Sequence, residues 1–80
     1  MDDEKVIERI NELAGEEHAL YQRAAHEPLS KEEHERLKAL EVRLDQAWDL
    51  LHQRRARRNA GLNPEQAMVR DPDTVEGYLS

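Results

Sequence analysis

Residues 37–51 read LKALEVRLDQAWDLL, in which apolar side chains recur at alternating intervals of three and four residues. An earlier stretch, VIERINELAGEEHALYQRA at residues 6–24, carries the same alternation. This spacing is typical of helices that pack along a narrow apolar seam. When the two stretches are placed antiparallel, one register satisfies every seam position, because the two residue numbers of each pair add to 57. The pairs are Val6 with Leu51, Ile10 with Ala47, Leu13 with Leu44, Glu17 with Leu40, and Leu20 with Leu37. The sequence therefore predicts an all-α fold, an antiparallel two-helix coiled-coil hairpin.

Capping and turn signals set the boundaries of this hairpin. The acidic residues 2–4 suit the start of helix 1, where the macrodipole favours negative charge. Pro28 cannot continue a helix, and Ser30 and Glu33 have the spacing of a capping box for helix 2. We therefore expect a hairpin over residues 1–60. Within it we expect helix 1 at about 3–25, a turn at about 26–30 and helix 2 at about 31–59.

The last twenty residues, 61–80, change in character and form a C-terminal tail. Asn63 and Pro64 look like an N-cap followed by proline at the first helical position. They predict a short helix at about 64–69. A weaker signal of the same kind follows at Asp71.

Apolar residues beside the seam make the apolar stripe wider than a two-helix hairpin needs. They are Ile7, Ala14 and Tyr21 on helix 1, and Trp48 and Leu50 on helix 2. Either the tail folds back over this flank, or two hairpins pair into a four-helix bundle. Because a two-helix core is small, we expect the second arrangement, a homodimer. The polar seam residue Glu17 either reaches water beside Gly15 or pairs with Arg43 or a second chain.

Four arginines form a basic block near the end of helix 2, namely Arg54, Arg55, Arg57 and Arg58. Such a block can bind the phosphates of RNA or DNA. However, no aromatic residues lie between the arginines to stack on bases, and the register places Arg54 opposite Asp3. We therefore expect the block to neutralise the acidic start of helix 1. A nucleic-acid-, transcription- or ribosome-associated role is the alternative.

Composition excludes several classes of protein. The 80 residues include no cysteine, so there is neither a disulfide framework nor a thiolate zinc site. No apolar run approaches the roughly 20 residues of a membrane span. No apolar stretch follows the acidic first residues in the manner of a signal peptide. We expect a cytoplasmic protein that has no contact with membranes.

The sequence offers little for catalysis or metal binding. The four histidines, His18, His26, His34 and His52, lie off the apolar stripe, and none follows a glutamate at the spacing of a di-iron site. Ser30 is accounted for by the capping box, and no glycine-rich phosphate loop is present. We expect no enzyme activity, no cofactor, no metal site and no small-molecule substrate.

The segments LDQAWDLL at 44–51 and QRRARR at 53–58, with VEGY at 75–78, carry a resemblance to a known family. The chain resembles a short, functionally uncharacterised family of actinobacterial proteins, a domain of unknown function. The resemblance extends over essentially the whole chain and implies no activity, cofactor or catalytic residue.

Together these features predict a small helical interaction or scaffold module that binds a second copy or another protein partner. The candidate interaction residues are Ile7, Tyr21, Trp48, Arg54, Arg55, Arg57, Arg58 and Tyr78.

Overall fold

The computed structural model of the protein describes residues 3–79, and its description of side chains ends at residue 77. Three α-helices and one 3-10 helix follow one another along the chain. They are α1 (Asp3–Ala24), α2 (Lys31–Asn59), the 3-10 helix (Pro64–Gln66) and α3 (Pro72–Leu79). The long helices α1 and α2 pack against each other, and α2 also packs against the 3-10 helix and α3. The prediction of an all-α helical hairpin with a short C-terminal helix is confirmed.

The hairpin core lies along the predicted seam. Val6, Leu40 and Leu51 are at most 1% exposed. The remaining buried residues of this core are Ile10, Leu13, Leu44 and Leu50. Packing loosens towards the turn, where Leu20 is only partly buried. The hairpin is therefore held most firmly at the end far from its turn.

The capping box at the start of α2 forms as the sequence predicts. The Glu33 amide donates to the Ser30 hydroxyl over 3.1 Å, and the Ser30 amide donates to the Glu33 carboxylate over 3.0 Å. Arg23, near the end of α1, forms an ion pair with Glu33. The cap of one helix is thereby joined to the end of the other.

The end of α2 is a Schellman motif. Gly61 adopts a φ of 75°, a left-handed conformation that a residue with a Cβ atom adopts only with strain. The Leu62 amide donates to the Arg57 carbonyl over 2.7 Å, and the Gly61 amide donates to the Arg58 carbonyl over 3.1 Å. The chain therefore reverses sharply and runs back along α2.

The tail differs from the expected helix at 64–69. Only one 3-10 turn forms after Asn63, whose side chain accepts from the Glu65 amide over 3.0 Å. The following backbone is extended, because side chains of α2 take up its carbonyl groups. Gln53 donates to the Met68 carbonyl over 2.8 Å, and Gln46 donates to the Arg70 carbonyl over 3.0 Å.

Helix α3 begins directly after Asp71, the weaker of the two capping signals in the tail. The Asp71 carboxylate accepts from the Thr74 amide over 2.8 Å and from the Thr74 hydroxyl over 3.0 Å. Pro72 occupies the first helical position, where its missing N–H group is tolerated. Val75 is 2% exposed and is the buried apolar anchor of α3. None of the helices within residues 3–79 has the length and apolar character that a membrane span requires.

Candidate interaction site

One edge of the hairpin carries a surface on which large apolar side chains remain exposed. We call it the open face and define it by Ile7, Ala14, Tyr21 and Trp48. A hydrogen bond of 2.7 Å from the Tyr21 hydroxyl to Glu41 joins the two helices at this edge. Trp48 follows Glu41 by one heptad, so it lies on the same side of α2. Ile7, Tyr21 and Trp48 are 39%, 49% and 45% exposed, respectively.

The tail runs along the other edge of the hairpin and packs on part of it. Leu50 is buried there, and Ala67 of the tail packs against the core. The sequence grouped Leu50 with Trp48 in one flank, and this grouping is wrong. Two residues of a helix that are two positions apart point about 200° from each other, so they face opposite edges. The tail therefore folds back along this edge, and the three large side chains of the open face stay between 39% and 49% exposed.

Charged side chains lie at both ends of the open face on α2. Arg55 follows Trp48 by one heptad, and Glu41 precedes it by one heptad. Among the side chains of residues 3–77, the exposed Arg55 side chain finds no hydrogen-bond or ion-pair partner. The indole of Trp48 itself is tilted at 36° to the His52 ring, with ring centroids 6.2 Å apart.

Carboxylates crowd the Glu41 end of the open face. The hydrogen bond to Glu41 raises the pKa of Tyr21 above its ordinary value. A hydrogen bond to Asp45, with further repulsion from Glu41, raises the pKa of Glu76 on α3. The open face thus carries the exposed cation of Arg55 at one end and an excess of negative charge at the other.

Arg54 is a structural residue rather than a surface cation. Its side chain is 5% exposed and lies 2.6 Å from Asp3 and 3.0 Å from Glu65. It also donates to the Pro64 carbonyl over 3.3 Å. The predicted opposition of Arg54 and Asp3 is therefore present, and the same guanidinium also holds the tail.

Two further arginines of the basic block serve the fold. Arg58 forms a 2.9 Å ion pair with Asp3. Hydrogen bonds from Arg58 and Arg54 lower the pKa of Asp3 to about 2. Arg57 donates to the Asn63 carbonyl over 2.8 Å and to the Gln66 side chain over 2.7 Å. Of the four arginines, only Arg55 is left for an outside partner by the described residues.

An open groove of about 610 Å³ lies between α1 and the tail. Val6, Leu13 and Leu50 form part of its apolar floor, and Val69 and Arg43 lie at its margin. Charged residues of α1 line its other side, namely Lys5, Glu8, Arg9 and Glu12. Arg43 faces this groove, so Glu17 lacks it as a partner among residues 3–79.

The remaining candidate residues do not come together in a site. All four histidines are exposed, and no three metal-ligating side chains among residues 3–77 are close enough to hold an ion. Tyr78 belongs to α3, but its side chain lies outside the described part of the structure. Asp2, which was expected at the start of α1, also lies outside it.

Sequence reasoning missed the contact between Tyr21 and Glu41. The signal was present in the heptads, because residues that flank the seam on the same side of two antiparallel helices face each other. Tyr21 and Glu41 occupy such positions. The same heptad positions place Trp48 and Leu50 on opposite sides of the seam.

Comparison with known proteins gives a family and close relatives. Residues 2–80 match a family described as a protein of unknown function, DUF2630. The uncharacterised protein Rv0898c of Mycobacterium tuberculosis strain H37Rv is 46% identical over 77 residues, which cover 95% of this chain and 88% of that protein. The uncharacterised protein Mb0922c of Mycobacterium bovis has the same identity and coverage. No solved structure matches this chain. The resemblance inferred from the sequence is thereby confirmed.

Proposed function

The chain belongs to the DUF2630 family, and we propose that it acts as a small non-enzymatic helical module that associates with a second copy through the open face. In this proposal two hairpins form a coiled-coil four-helix bundle, and the homodimer serves as a scaffold for other proteins. We place this activity in the cytoplasm, where a chain that has no cysteine does not depend on disulfide formation.

The observation that carries the proposal is the uncovered apolar edge of the hairpin. Three large side chains, Ile7, Tyr21 and Trp48, are all between 39% and 49% exposed on this one edge. Scattered exposed apolar residues are ordinary, but a contiguous set indicates an interaction surface. Tryptophan and tyrosine are also the residue types most enriched at the energetic centres of protein interfaces.

The size of the open face favours a reversible dimer. From Ile7 to Tyr21 the face is about 21 Å long, and a two-helix hairpin is about 20 Å wide. Its projected area of roughly 400 Å² is about half of what each partner contributes to a standard interface. We therefore expect association in the micromolar range.

A binding role also agrees with the chemistry of the rest of the described surface. The groove beside the tail has an apolar floor, which suits binding, and we propose a non-enzymatic role. The nucleic-acid alternative loses support because Arg54 is 95% buried and Arg57 and Arg58 have partners within the protein.

Sedimentation equilibrium over a concentration series tests the proposal. We expect the wild-type chain to form a dimer near micromolar concentration. Replacing Ile7 and Trp48 together with glutamine should give a monomer, because the apolar centre of the open face is lost. Circular dichroism should show lower helicity in this variant, since the paired hairpins support each other.

Leu62→Gln provides the matched control, because Leu62 is 53% exposed but lies outside the open face. It should dimerise like the wild type. A wild-type chain that stays monomeric at high concentration contradicts the proposal. Salt-sensitive binding of total RNA by such a monomer would favour the nucleic-acid role instead.

A further inference from the structure

Three positions of α2 give the open face a two-fold pattern of charge. Glu41, Trp48 and Arg55 follow one another at intervals of one heptad. At 1.5 Å per residue, the carboxylate and the guanidinium positions are about 21 Å apart, with Trp48 midway between them. A two-fold axis through Trp48 and perpendicular to α2 therefore brings Arg55 of one copy over Glu41 of the other.

We propose that the partner of the open face is a second copy bound in this antiparallel register, with Trp48 at the two-fold axis and Arg55 paired with Glu41 of the other copy. This inference rests on the proposed self-association and specifies its geometry. An isologous interface requires that each contact occur twice, and this register satisfies the requirement.

Charge complementarity supports a second copy as the occupant. Arg55 has no partner among the described side chains, those of residues 3–77. Glu41 lies beside Asp45 and Glu76, and this crowding of carboxylates raises the pKa of Glu76. In the proposed register the Arg55 guanidinium of each copy lies beside this group of carboxylates in the other copy. The arrangement would relieve repulsion at two places in the dimer at once.

The apolar residues fit the same register. In the hairpin Ile7 lies opposite residue 50, close to the level of Trp48. The axis therefore brings two Trp48 rings and two Ile7 side chains together at the centre, with charged pairs at the rim. Interfaces commonly have this anatomy, an apolar core surrounded by polar contacts. Tyr21, already hydrogen-bonded to Glu41, would contact the incoming guanidinium at that rim.

Charge reversal tests the register. Arg55→Glu and Glu41→Arg should each raise the dissociation constant of the homodimer by at least about tenfold, because each change converts two attractive contacts into repulsive ones. An equimolar mixture of the two variants should restore association, since both contacts in the mixed dimer again join opposite charges. The two positions are about 21 Å apart on one helix, so an intramolecular pair cannot cause this rescue.

Arg43→Glu is the matched control, because Arg43 is an exposed arginine of α2 on the groove side of the hairpin. It should dimerise like the wild type and retain the wild-type helicity. If the single variants dimerise normally, or if mixing restores nothing, the proposed register is wrong while self-association itself stands. If the wild-type chain is monomeric, both the register and the proposed function are wrong.

Discussion

The guanidinium of Arg54 lies 2.6 Å from the carboxylate of Asp3, although 51 positions separate the two residues. The contact closes the hairpin at the end far from its turn. The same guanidinium bonds Glu65 of the tail, so one buried cation joins α1, α2 and the 3-10 helix. The stability of the whole fold therefore depends on this residue more than on its neighbours in the basic block.

We predict that Arg54→Gln lowers the Tm by roughly 5–15 °C, because it leaves two carboxylates without their shared partner. In dilute samples, where the proposed dimer is dissociated, Arg55→Gln should change the Tm by less than about 2 °C, because this side chain is exposed and has no partner among the side chains of residues 3–77. Thermal unfolding followed by circular dichroism measures both. Equal losses in the two variants would mean that Arg54 has no special structural role.

The register of the hairpin could be predicted from the sequence because it depends on local periodicity. The spacing of the seam places Arg54 opposite Asp3, and the capping box at Ser30 follows from four adjacent residues. Both are present in the structure. Such features need no knowledge of the tail.

The tail could not be predicted in the same way, because tertiary contacts decide it. The stronger capping signal at Asn63 gives one 3-10 turn, since Gln46 and Gln53 hold the next carbonyl groups in an extended backbone. The weaker signal at Asp71 gives α3, which is stabilised by burial of Val75. The exposure of the large side chains on the open face follows from the path of the tail, so it could not be predicted from the sequence either.

We predict that acid weakens the fold through Asp3. Its two arginine partners lower its pKa from the ordinary value of 3.8 to about 2. A lowered folded-state pKa stabilises the protein above the unfolded value, and this stabilisation is lost as the pH falls through the folded value. Between about pH 4 and pH 2 the Tm of the wild type should therefore fall more steeply than that of Asp3→Asn.

Other carboxylates with lowered pKa values contribute to acid unfolding in both proteins. The test is therefore the difference between the two proteins in how steeply the Tm falls with pH. Thermal unfolding in this pH window, at constant ionic strength, gives that difference. Parallel curves for the wild type and Asp3→Asn would contradict the assignment to Asp3.

We predict that Glu76→Gln tightens the docking of α3 at neutral pH. Asp45 raises the pKa of Glu76, so the ionised form of Glu76 destabilises the docked helix. An acid with a raised folded-state pKa gains stability as the pH falls, and the amide substitution should mimic this effect. Amide hydrogen exchange should be slower in α3 of the variant.

Glu35→Gln removes the same charge from an exposed site on α2 and should leave exchange in α3 unchanged. Faster exchange in α3 of Glu76→Gln would show that the carboxylate supports docking instead of opposing it.

We predict that Gly15→Ala stabilises the protein by about 0.5–1 kcal/mol, because alanine restricts the unfolded chain and favours helix. A Cβ atom at this position would meet no atom within 4 Å. Gly61→Ala should instead destabilise, since Gly61 has a φ of 75°. Urea unfolding of both variants gives the two free energies, and a destabilised Gly15→Ala would indicate that a partner packs closely on α1.

In the proposed dimer a second copy of the chain covers the open face, and Trp48 reports on this burial directly as the single tryptophan of the sequence. In the monomer its side chain is 45% exposed, and the proposed dimer buries it at the two-fold axis. The measurement is tryptophan emission over a dilution series. We predict that the emission maximum shifts to longer wavelength on dilution, with the same midpoint as dissociation in the ultracentrifuge. An emission maximum that stays constant while the dimer dissociates would contradict the claim.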